Sequence, residues 1–432
     1  MSKLETVINE TLSDGLNIKL KEIHTAPLIS HWVWYRVGSR DEVSGKTGLS
    51  HWVEHMQFKG TKRFPSSILD KSISREGGVW NAFTFMDWTT YFATLPAEKI
   101  DLIMELEADR IQNSLFKPEE VEPERTVIIS ELEGNENDPS FKLNKAVQQA
   151  AFRRHPYRVE TIGELKDLQS ITRNDLFNHY RRYYMPNNAV LTMAGDFKAS
   201  EMLKKLKKLY ANIPIGELPP HPAQREDPLS KEQRLEVHGP GETSFIQIAY
   251  RSPEANTDDF FIFTVLDSLM TGPNSLNMFG GGNISNKTSR LYRKLVNRRL
   301  AVGVGGGIQA TIDPYLYGVS ITLPPKSSPD RVIRAFDQQI DRLQNHKVKQ
   351  AEIDRAVKQA KALFAYGSEN ITNQAFWLGF AEMFATYDWF VNYVDRLRKV
   401  TPEDVLQVAR KYLQRSQRVV GIYTPNAAKG GS

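Results

Sequence analysis

The chain has 432 residues, of which 40% are hydrophobic and 25% are charged, and a formal net charge of +5 at pH 7. This length allows two or more domains with sizeable cores, and a mild charge carried by scattered lysines and arginines predicts no nucleic-acid partner. Cysteine is absent, which excludes disulfides and thiolate metal ligands.

The first ten residues are polar and show neither a signal-peptide apolar region nor an Arg-rich transit pattern. Nowhere does an apolar run approach the roughly 20 residues that a membrane-spanning helix needs. We therefore expect a cytoplasmic protein without a membrane span.

Strand patterns and helix patterns alternate along the first part of the chain. Predicted strands at Leu16–Glu22, Leu28–Val37 and Phe83–Leu95 are followed by long amphipathic helices at Ala97–Ser114 and Pro118–Asn135. This order predicts an α+β fold, with helices packed on a mainly antiparallel sheet.

The segment His51-Trp52-Val53-Glu54-His55 reads H-x-x-E-H, the inverted motif of inverzincins. Two histidines four residues apart share one helix face, so both can contact one metal ion, and the carboxylate of Glu54 lies beside that ion. Gly60 predicts that the helix ends after Lys59. A substantially buried helix is indicated by the apolar residues around the motif: Leu49, Trp52, Val53, Met56 and Phe58.

A hydrolytic zinc site needs a third protein ligand. The best candidate lies in a predicted helix over Glu119–Glu133, with an apolar side formed by Val121, Val127, Ile128 and Ile129. Steps of four, three and four place Glu120, Glu124, Val127 and Glu131 on one stripe, whereas Glu133 points elsewhere. Glu131 is therefore the favoured ligand, with Glu124 behind it. The alternative, acidic residues that complement the helix dipole, explains only the first turn.

The chain also predicts an internal duplication. Residues 171–176 match residues 400–405 at an offset of 229, and each copy continues into a helix and a hydrophobic strand (Ala189–Ala194 and Arg418–Tyr423). Prolines 219, 220, 222 and 228 mark a linker. We therefore predict two homologous α+β domains, residues 1–216 and 232–432, joined by residues 217–231.

The duplication predicts that the second domain is free of metal. The position equivalent to the H-x-x-E-H segment falls near Gly280–Gly282, without histidines or carboxylates. Residues 281–288 approach a phosphate-binding P-loop, but Asn286 stands where that motif requires glycine. A flexible glycine-rich loop near the substrate and an ordinary surface loop both stay open for this segment.

Several motifs in the same order resemble the M16 family of metallopeptidases. They are Val37–Glu42, His51–Thr61, Gly77–Thr84, Glu124-Arg125 with Glu131, His155-Pro156-Tyr157, Tyr184–Asn188 and Ser289–Tyr292. The resemblance implies the duplicated LuxS/MPP-like metallohydrolase fold. It also implies that His51, His55 and Glu131 bind Zn²⁺, that Glu54 is the general base and that Glu124 supports the site. The implied substrate-binding residues are Asn81, Ala82 and Phe83, on a strand edge that pairs with an extended peptide.

One departure from the family concerns the second half. Val296 and Val302 stand where many members carry an Arg and a Tyr that contact substrate, and Arg298 or Arg299 could replace the Arg after realignment. The resemblance then implies a partner that supplies the missing groups. That partner would be a homologous, metal-free M16 subunit in a heterodimer, or a second copy in a homodimer.

The expected function is that of a zinc-dependent endopeptidase acting on extended or unfolded peptides. The resemblance is to the zinc-bearing subunit of bacterial heterodimeric M16 peptidases and to the β subunit of mitochondrial processing peptidase. Two alternatives are a catalytically inactive structural subunit and a peptide-binding subunit with vestigial chemistry.

Overall fold

A computed structural model describes residues 7–220, 225–276 and 284–426. The strands are β1 (Val7–Thr11), β2 (Asn17–Glu22), β3 (Leu28–Tyr35), β4 (Val79–Thr84), β5 (Thr89–Pro96), β6 (Ala189–Gly195), β7 (Gln233–Gly239), β8 (Phe245–Arg251), β9 (Gly303–Gly307), β10 (Leu316–Thr322) and β11 (Arg418–Pro425).

The α-helices are α1 (Leu49–Gln57), α2 (Ser66–Arg75), α3 (Ile100–Asn113), α4 (Pro118–Glu136), α5 (Pro139–Ala151), α6 (Leu165–Ser170), α7 (Arg173–Tyr183), α8 (Ala199–Tyr210), α9 (Asp258–Met270), α10 (Pro329–Asn345), α11 (Gln350–Tyr366), α12 (Ile371–Phe380), α13 (Tyr387–Val391), α14 (Tyr393–Arg398) and α15 (Pro402–Tyr412). Within the described ranges, none is long and apolar enough to cross a membrane.

The chain forms two compact units that do not follow one continuous cut. The first unit contains Met1–Leu132, Val159–Pro222 and Ser368–Phe390, and the second contains Glu133–Arg158, Ala223–Gly367 and Val391–Ser432. Each unit therefore takes one segment from the other half of the sequence. The division at residues 217–231 stays a prediction about the two homologous sequence copies.

The first unit contains a six-stranded sheet in the order β1-β2-β6-β3-β5-β4. Only the β2–β6 pair is parallel. The single strand predicted at Phe83–Leu95 is wrong, because the chain turns back between β4 and β5. Asp87 is buried in this turn, and the Phe85 amide donates to the Trp88 carbonyl at 2.8 Å. Aspartate favours such turns, a signal that a hydrophobic pattern does not register.

The second unit contains a five-stranded sheet in the order β7-β11-β8-β10-β9, in which only β7–β11 is parallel. This is the order β2-β6-β3-β5-β4 of the first sheet, strand for strand. The helices before β6 and β11 also begin alike, with reciprocal capping of Thr172 by Asp175 and of Thr401 by Asp404. The mainly antiparallel α+β architecture and its duplication are both as predicted.

Helix α12, from the second half of the sequence, packs on β3 and β6 of the first unit. The ring of Phe376 meets Trp32 and Trp34 edge to face, with centroids 5.6 and 5.4 Å apart. Gly379 permits this approach, since a Cβ added there would lie 2.1 Å from Nε1 of the fully buried Trp34. The glycine therefore sets how closely the helix lies on the sheet.

Helix α5, from the first half of the sequence, packs on β11 of the second unit in the same manner. Here the glycine is on the strand: a Cβ added to Gly421 would lie 2.5 Å from Cγ2 of Val147. Both sheets are thus covered on one face by a helix that depends on a glycine at the contact.

We predict that Gly379→Ala destabilises the first unit by about 1–3 kcal/mol, because the new methyl group has no room beside Trp34. All seven tryptophans lie in segments of the first unit, so tryptophan fluorescence during urea unfolding reports on that unit. The matched control is Ser74→Ala, at an exposed position of α2 in the same unit. Unchanged urea midpoints in both variants would contradict the close contact.

Candidate metal centre

Helix α1 carries the H-x-x-E-H segment and is buried as expected: Trp52, Val53 and Met56 have no exposed surface. The helix ends at Gln57, so the end predicted after Lys59 is wrong by two residues. The amides of Phe58 and Lys59 bond to the carbonyls of His55 and Met56, three residues back. Such bonds tighten the last turn and end the α-helical pattern before the glycine.

The start of α1 is held by Glu42, which the sequence interpretation missed as a functional support. Its two carboxylate oxygens accept the Gly48 and Ser50 amides at 2.8 and 2.7 Å. Burial raises the pKa of Glu42 to about 8. An acidic residue a few positions before a helix start was the available signal, since helix N-termini have free amides that require acceptors.

The structure brings His51, His55 and Glu131 together. Nε2 of His51 lies 3.8 Å from one Glu131 oxygen, Nε2 of His55 lies 3.7 Å from the other, and the three ligand atoms all lie within 4.8 Å of one another. These distances are too long for hydrogen bonds. The two histidine–glutamate distances are within about half an ångström of the roughly 3.3 Å expected between tetrahedral zinc ligands with bonds of about 2.0–2.1 Å. The donor set therefore fits a zinc ion.

Glu124 contacts His55, whereas the helical spacing had predicted it behind Glu131. Its Oε1 lies 2.7 Å from Nδ1 of His55, and its other oxygen forms an ion pair with Lys59. Burial raises the pKa of Glu124, but the bonds to His55 and Lys59 outweigh it and leave that pKa below its usual value. With Nδ1 donating to this carboxylate, Nε2 of His55 keeps its lone pair towards Glu131. Lys59 is a supporting residue that the sequence did not single out.

His51 is held in the neutral form that metal ions bind. Burial lowers its pKa to about 3, and the charge of His55 adds to the effect. Its Nδ1 is buried with no hydrogen-bond partner among the described residues. Packing rather than a hydrogen bond therefore holds the imidazole of His51 in place.

Glu54 lies beside this cluster without belonging to it. Its side chain is 8% exposed, and Oε2 accepts the Thr84 hydroxyl at 2.6 Å. Burial raises the pKa of Glu54 to about 7, and a divalent cation nearby would lower it. Thr84 was not predicted from the sequence. It is the last residue of β4, so the strand places the hydroxyl against α1.

Helix α4 presents Glu124 and Glu131 on one side, but the predicted apolar side is partly wrong. Val127 is 51% exposed, whereas Val121, Ile128 and Leu132 are buried. The helical period places Val127 about 120° from the centre of these buried residues and next to the two glutamates. Glu131 is 44% exposed at its side chain, so the cluster is open to solvent on this side.

The predicted substrate-binding residues Asn81, Ala82 and Phe83 lie on β4, at the end of the described sheet. The Ala82 amide donates to the Asn81 side-chain oxygen at 2.8 Å. Phe83 stacks on Phe92, with ring centroids 6.0 Å apart. Among the described strands β4 pairs only with β5, so its other edge is the one at which an extended peptide could add a strand.

The structure describes only some of the residues to which the sequence drew attention in the second half. Gly280–Gly282 lie outside the described residues. Val296 ends a π-helical turn (Tyr292–Val296) and is half-buried, and Val302 is 63% exposed. Arg298 and Arg299 are exposed, and Arg299 has a left-handed φ of 57°. Neither valine supplies the hydrogen-bond donor that an Arg or Tyr would.

The chain matches two family models, one described as insulinase (peptidase family M16) over residues 18–164 and one as the peptidase M16 inactive domain over residues 170–360. It is 26% identical over 427 residues to zinc protease PqqE of Helicobacter pylori, covering 96% of this chain and 92% of that protein. It is 32% identical to a probable mitochondrial-processing peptidase subunit beta of Arabidopsis thaliana over 203 residues, which are 47% of this chain and 38% of that protein.

Among solved structures, the fold is similar to the crystal structure of a protease from Helicobacter pylori. The TM-score is 0.89 at 26% identity, covering 98% of this chain and all of that one. The two family models together span most of the sequence, and the half that carries the His and Glu cluster is the half matched as insulinase. The chain belongs to the M16 family of peptidases.

Proposed function

We propose that the protein is a zinc-dependent endopeptidase that hydrolyses extended or unfolded peptides. The observation that carries the proposal is the cluster of His51, His55 and Glu131 at coordination spacing, with Glu54 beside it and outside the ligand set. Relatives named zinc proteases support zinc as the metal. Two neutral imidazoles and one carboxylate leave a position for water, as in catalytic zinc sites.

Each residue of the site has a separate role in peptide hydrolysis. Zinc bound there would polarise the scissile carbonyl and acidify a water molecule. Glu54 accepts the proton of that water and passes it to the leaving amine. Thr84 binds Oε2 of Glu54, which leaves Oε1 to face the water. Glu124 orients His55, and Glu42 holds the first turn of the helix on which both histidines lie.

The edge strand β4 supports binding of extended peptides. An added strand would pair with Asn81–Phe83, and its carbonyl would replace the Asn81 side chain as acceptor of the Ala82 amide. The same strand ends at Thr84, which contacts the general base. A peptide paired along β4 is thus directed towards Glu54. Folded proteins lack free strands of this kind, so unfolded chains are the favoured substrates.

A homologous partner subunit that lacks the metal ligands completes the active site in this proposal. Val296 and Val302 occupy the positions at which M16 relatives carry the substrate-binding Arg and Tyr, and valine cannot donate a hydrogen bond. A relative named as a peptidase subunit supports assembly with a second chain. A homodimer would repeat both valines and so would not supply the missing donors.

A catalytically inactive structural or peptide-binding subunit is the competing function. The match to an inactive domain covers residues 170–360. All the proposed ligands and the base lie outside it, within residues 18–164. An inactive subunit has no need for a buried, hydrogen-bonded Glu54, which is costly to bury. We therefore favour the peptidase.

We predict that Glu54→Gln keeps one zinc per chain but lowers kcat about 10²–10⁴-fold. The amide oxygen of glutamine can still accept the Thr84 hydroxyl, but the amide cannot take a proton from the water. Zinc content by mass spectrometry and cleavage of a quenched unfolded peptide measure the two properties. Activity equal to that of the unchanged protein would refute the role of Glu54.

We predict that Glu124→Ala weakens zinc binding by about 10–100-fold, because His55 loses the carboxylate that orients it. Competition with a fluorescent chelator measures the affinity. Glu133→Ala is the matched control, since Glu133 is an exposed glutamate on the same helix. Equal affinities in the two variants would show that Glu124 has no supporting role.

We predict that the purified chain binds zinc but cleaves peptides weakly, and that a homologous M16 chain without the H-x-x-E-H segment raises kcat/KM at least tenfold. The comparison is made at equal zinc occupancy, with and without the second chain. Adding the second chain to Glu54→Gln is the control, and it should give no activity. Full activity of the chain alone would exclude the need for a partner.

A further inference from the structure

The second unit contains a basic cleft with a volume of about 520 Å³. Its basic side chains come from three neighbouring stretches of chain. They are Arg293, Lys294 and Arg298 around the π-helical turn, Arg342 in the last turn of α10, and Lys347 and Lys349 between α10 and α11. With Arg290, seven Lys and Arg residues line the cleft.

Among the described residues that line the cleft, Glu352 is the one carboxylate, and it is already engaged. Arg290 binds both of its oxygens, with Nη2 at 2.9 and 3.0 Å, and the Lys349 amide donates to it at 3.2 Å. Its negative charge therefore offsets Arg290. No carboxylate among the described lining residues remains to balance the other six basic side chains.

The contacts of those six side chains do not remove the imbalance. Lys294 binds the neutral side chain of Gln338, and Arg293 binds the Thr288 carbonyl. Lys347 pairs with Glu403, which does not line the cleft. For Arg298, Arg342 and Lys349, no side-chain hydrogen bond or ion pair occurs among the described residues.

Cations repel one another when the distance between them is shorter than the Debye length, which is about 8 Å. When they line a concave site, they also focus a positive potential on the space between them. A bound anion offsets this repulsion. Arginine fits the oxygens of phosphate with two parallel hydrogen bonds, and lysine contributes a flexible point charge. The volume is within the range of small-molecule sites.

We propose that this cleft binds a phosphate-bearing anion of about the size and charge of a triphosphate. Arg298 and Arg342 are free to bind its oxygens, and Lys294 and Lys349 add charge at the cleft walls. Arg290 is bound to Glu352 and does not take part in binding the anion in this proposal. This site is independent of the proposed peptidase chemistry, since every residue that lines it belongs to the second unit.

The test is isothermal titration of the full chain with inorganic tripolyphosphate at physiological salt. We expect saturable binding of one anion per chain, weakened about tenfold by Arg342→Gln and by Arg298→Gln. Arg334→Gln is the matched control, because Arg334 is exposed on α10 and does not line the cleft. Thermal unfolding of each variant checks that folding is retained.

Tripolyphosphate also chelates divalent metals, so the titration is repeated on Glu131→Gln, which should lack the zinc ligand but retain the cleft. Unchanged binding in that variant assigns the heat to the cleft. Absence of binding at millimolar tripolyphosphate, or equal loss in Arg334→Gln, overturns the proposal. Tighter binding of a single-stranded oligonucleotide that also depends on Arg334 would likewise overturn it, in favour of an extended nucleic-acid surface.

Discussion

The candidate metal centre depends on the burial of helix α1, which carries two imidazoles and a carboxylate. A buried polar side chain without a partner costs several kcal/mol, so each of these groups constrains what surrounds it. Glu54 requires Thr84 at the end of β4, and His55 requires Glu124 on α4. The helix start requires the carboxylate of Glu42. These requirements fix α1 against a strand, a helix and a loop at the same time.

This explains why the sequence indicated that the proposed metal ligands lie together, whereas it did not indicate the residues that support them. His51, His55, Glu131 and Glu124 follow from helical spacing, which a sequence displays directly. Thr84, Lys59 and Glu42 act through the tertiary position of a strand end, a helix end and a loop. Nothing in their spacing marks them. Val127 shows the same limit, because its exposure depends on which side of α4 meets the core rather than on its hydrophobicity.

The distribution of charge shows more clearly what the sequence alone does not predict. A net charge of +5 over 432 residues indicated scattered, solvated basic side chains. Folding brings Arg293, Lys294, Arg298 and Arg342 to one cleft, although up to 49 positions separate them in the sequence. The local potential is set by which charges are gathered and by how few carboxylates accompany them. Composition averages over that arrangement and cannot predict it.

The duplication was visible in sequence, but the way the two copies share their cores was not. The strand orders β2-β6-β3-β5-β4 and β7-β11-β8-β10-β9 agree, and matched capping boxes begin α7 and α15. Yet α12 covers the first sheet and α5 covers the second, each from the opposite half of the sequence. On its own, a fragment that ends within residues 217–231 would have Trp32 and Trp34 without Phe376, and a fragment that begins there would have β11 without Val147. Exposing such a face removes the hydrophobic burial on which the sheet depends. The two copies therefore stabilise each other through exchanged helices, and the sheet beside the candidate metal centre requires α12, which lies more than 300 positions after the His51–His55 segment.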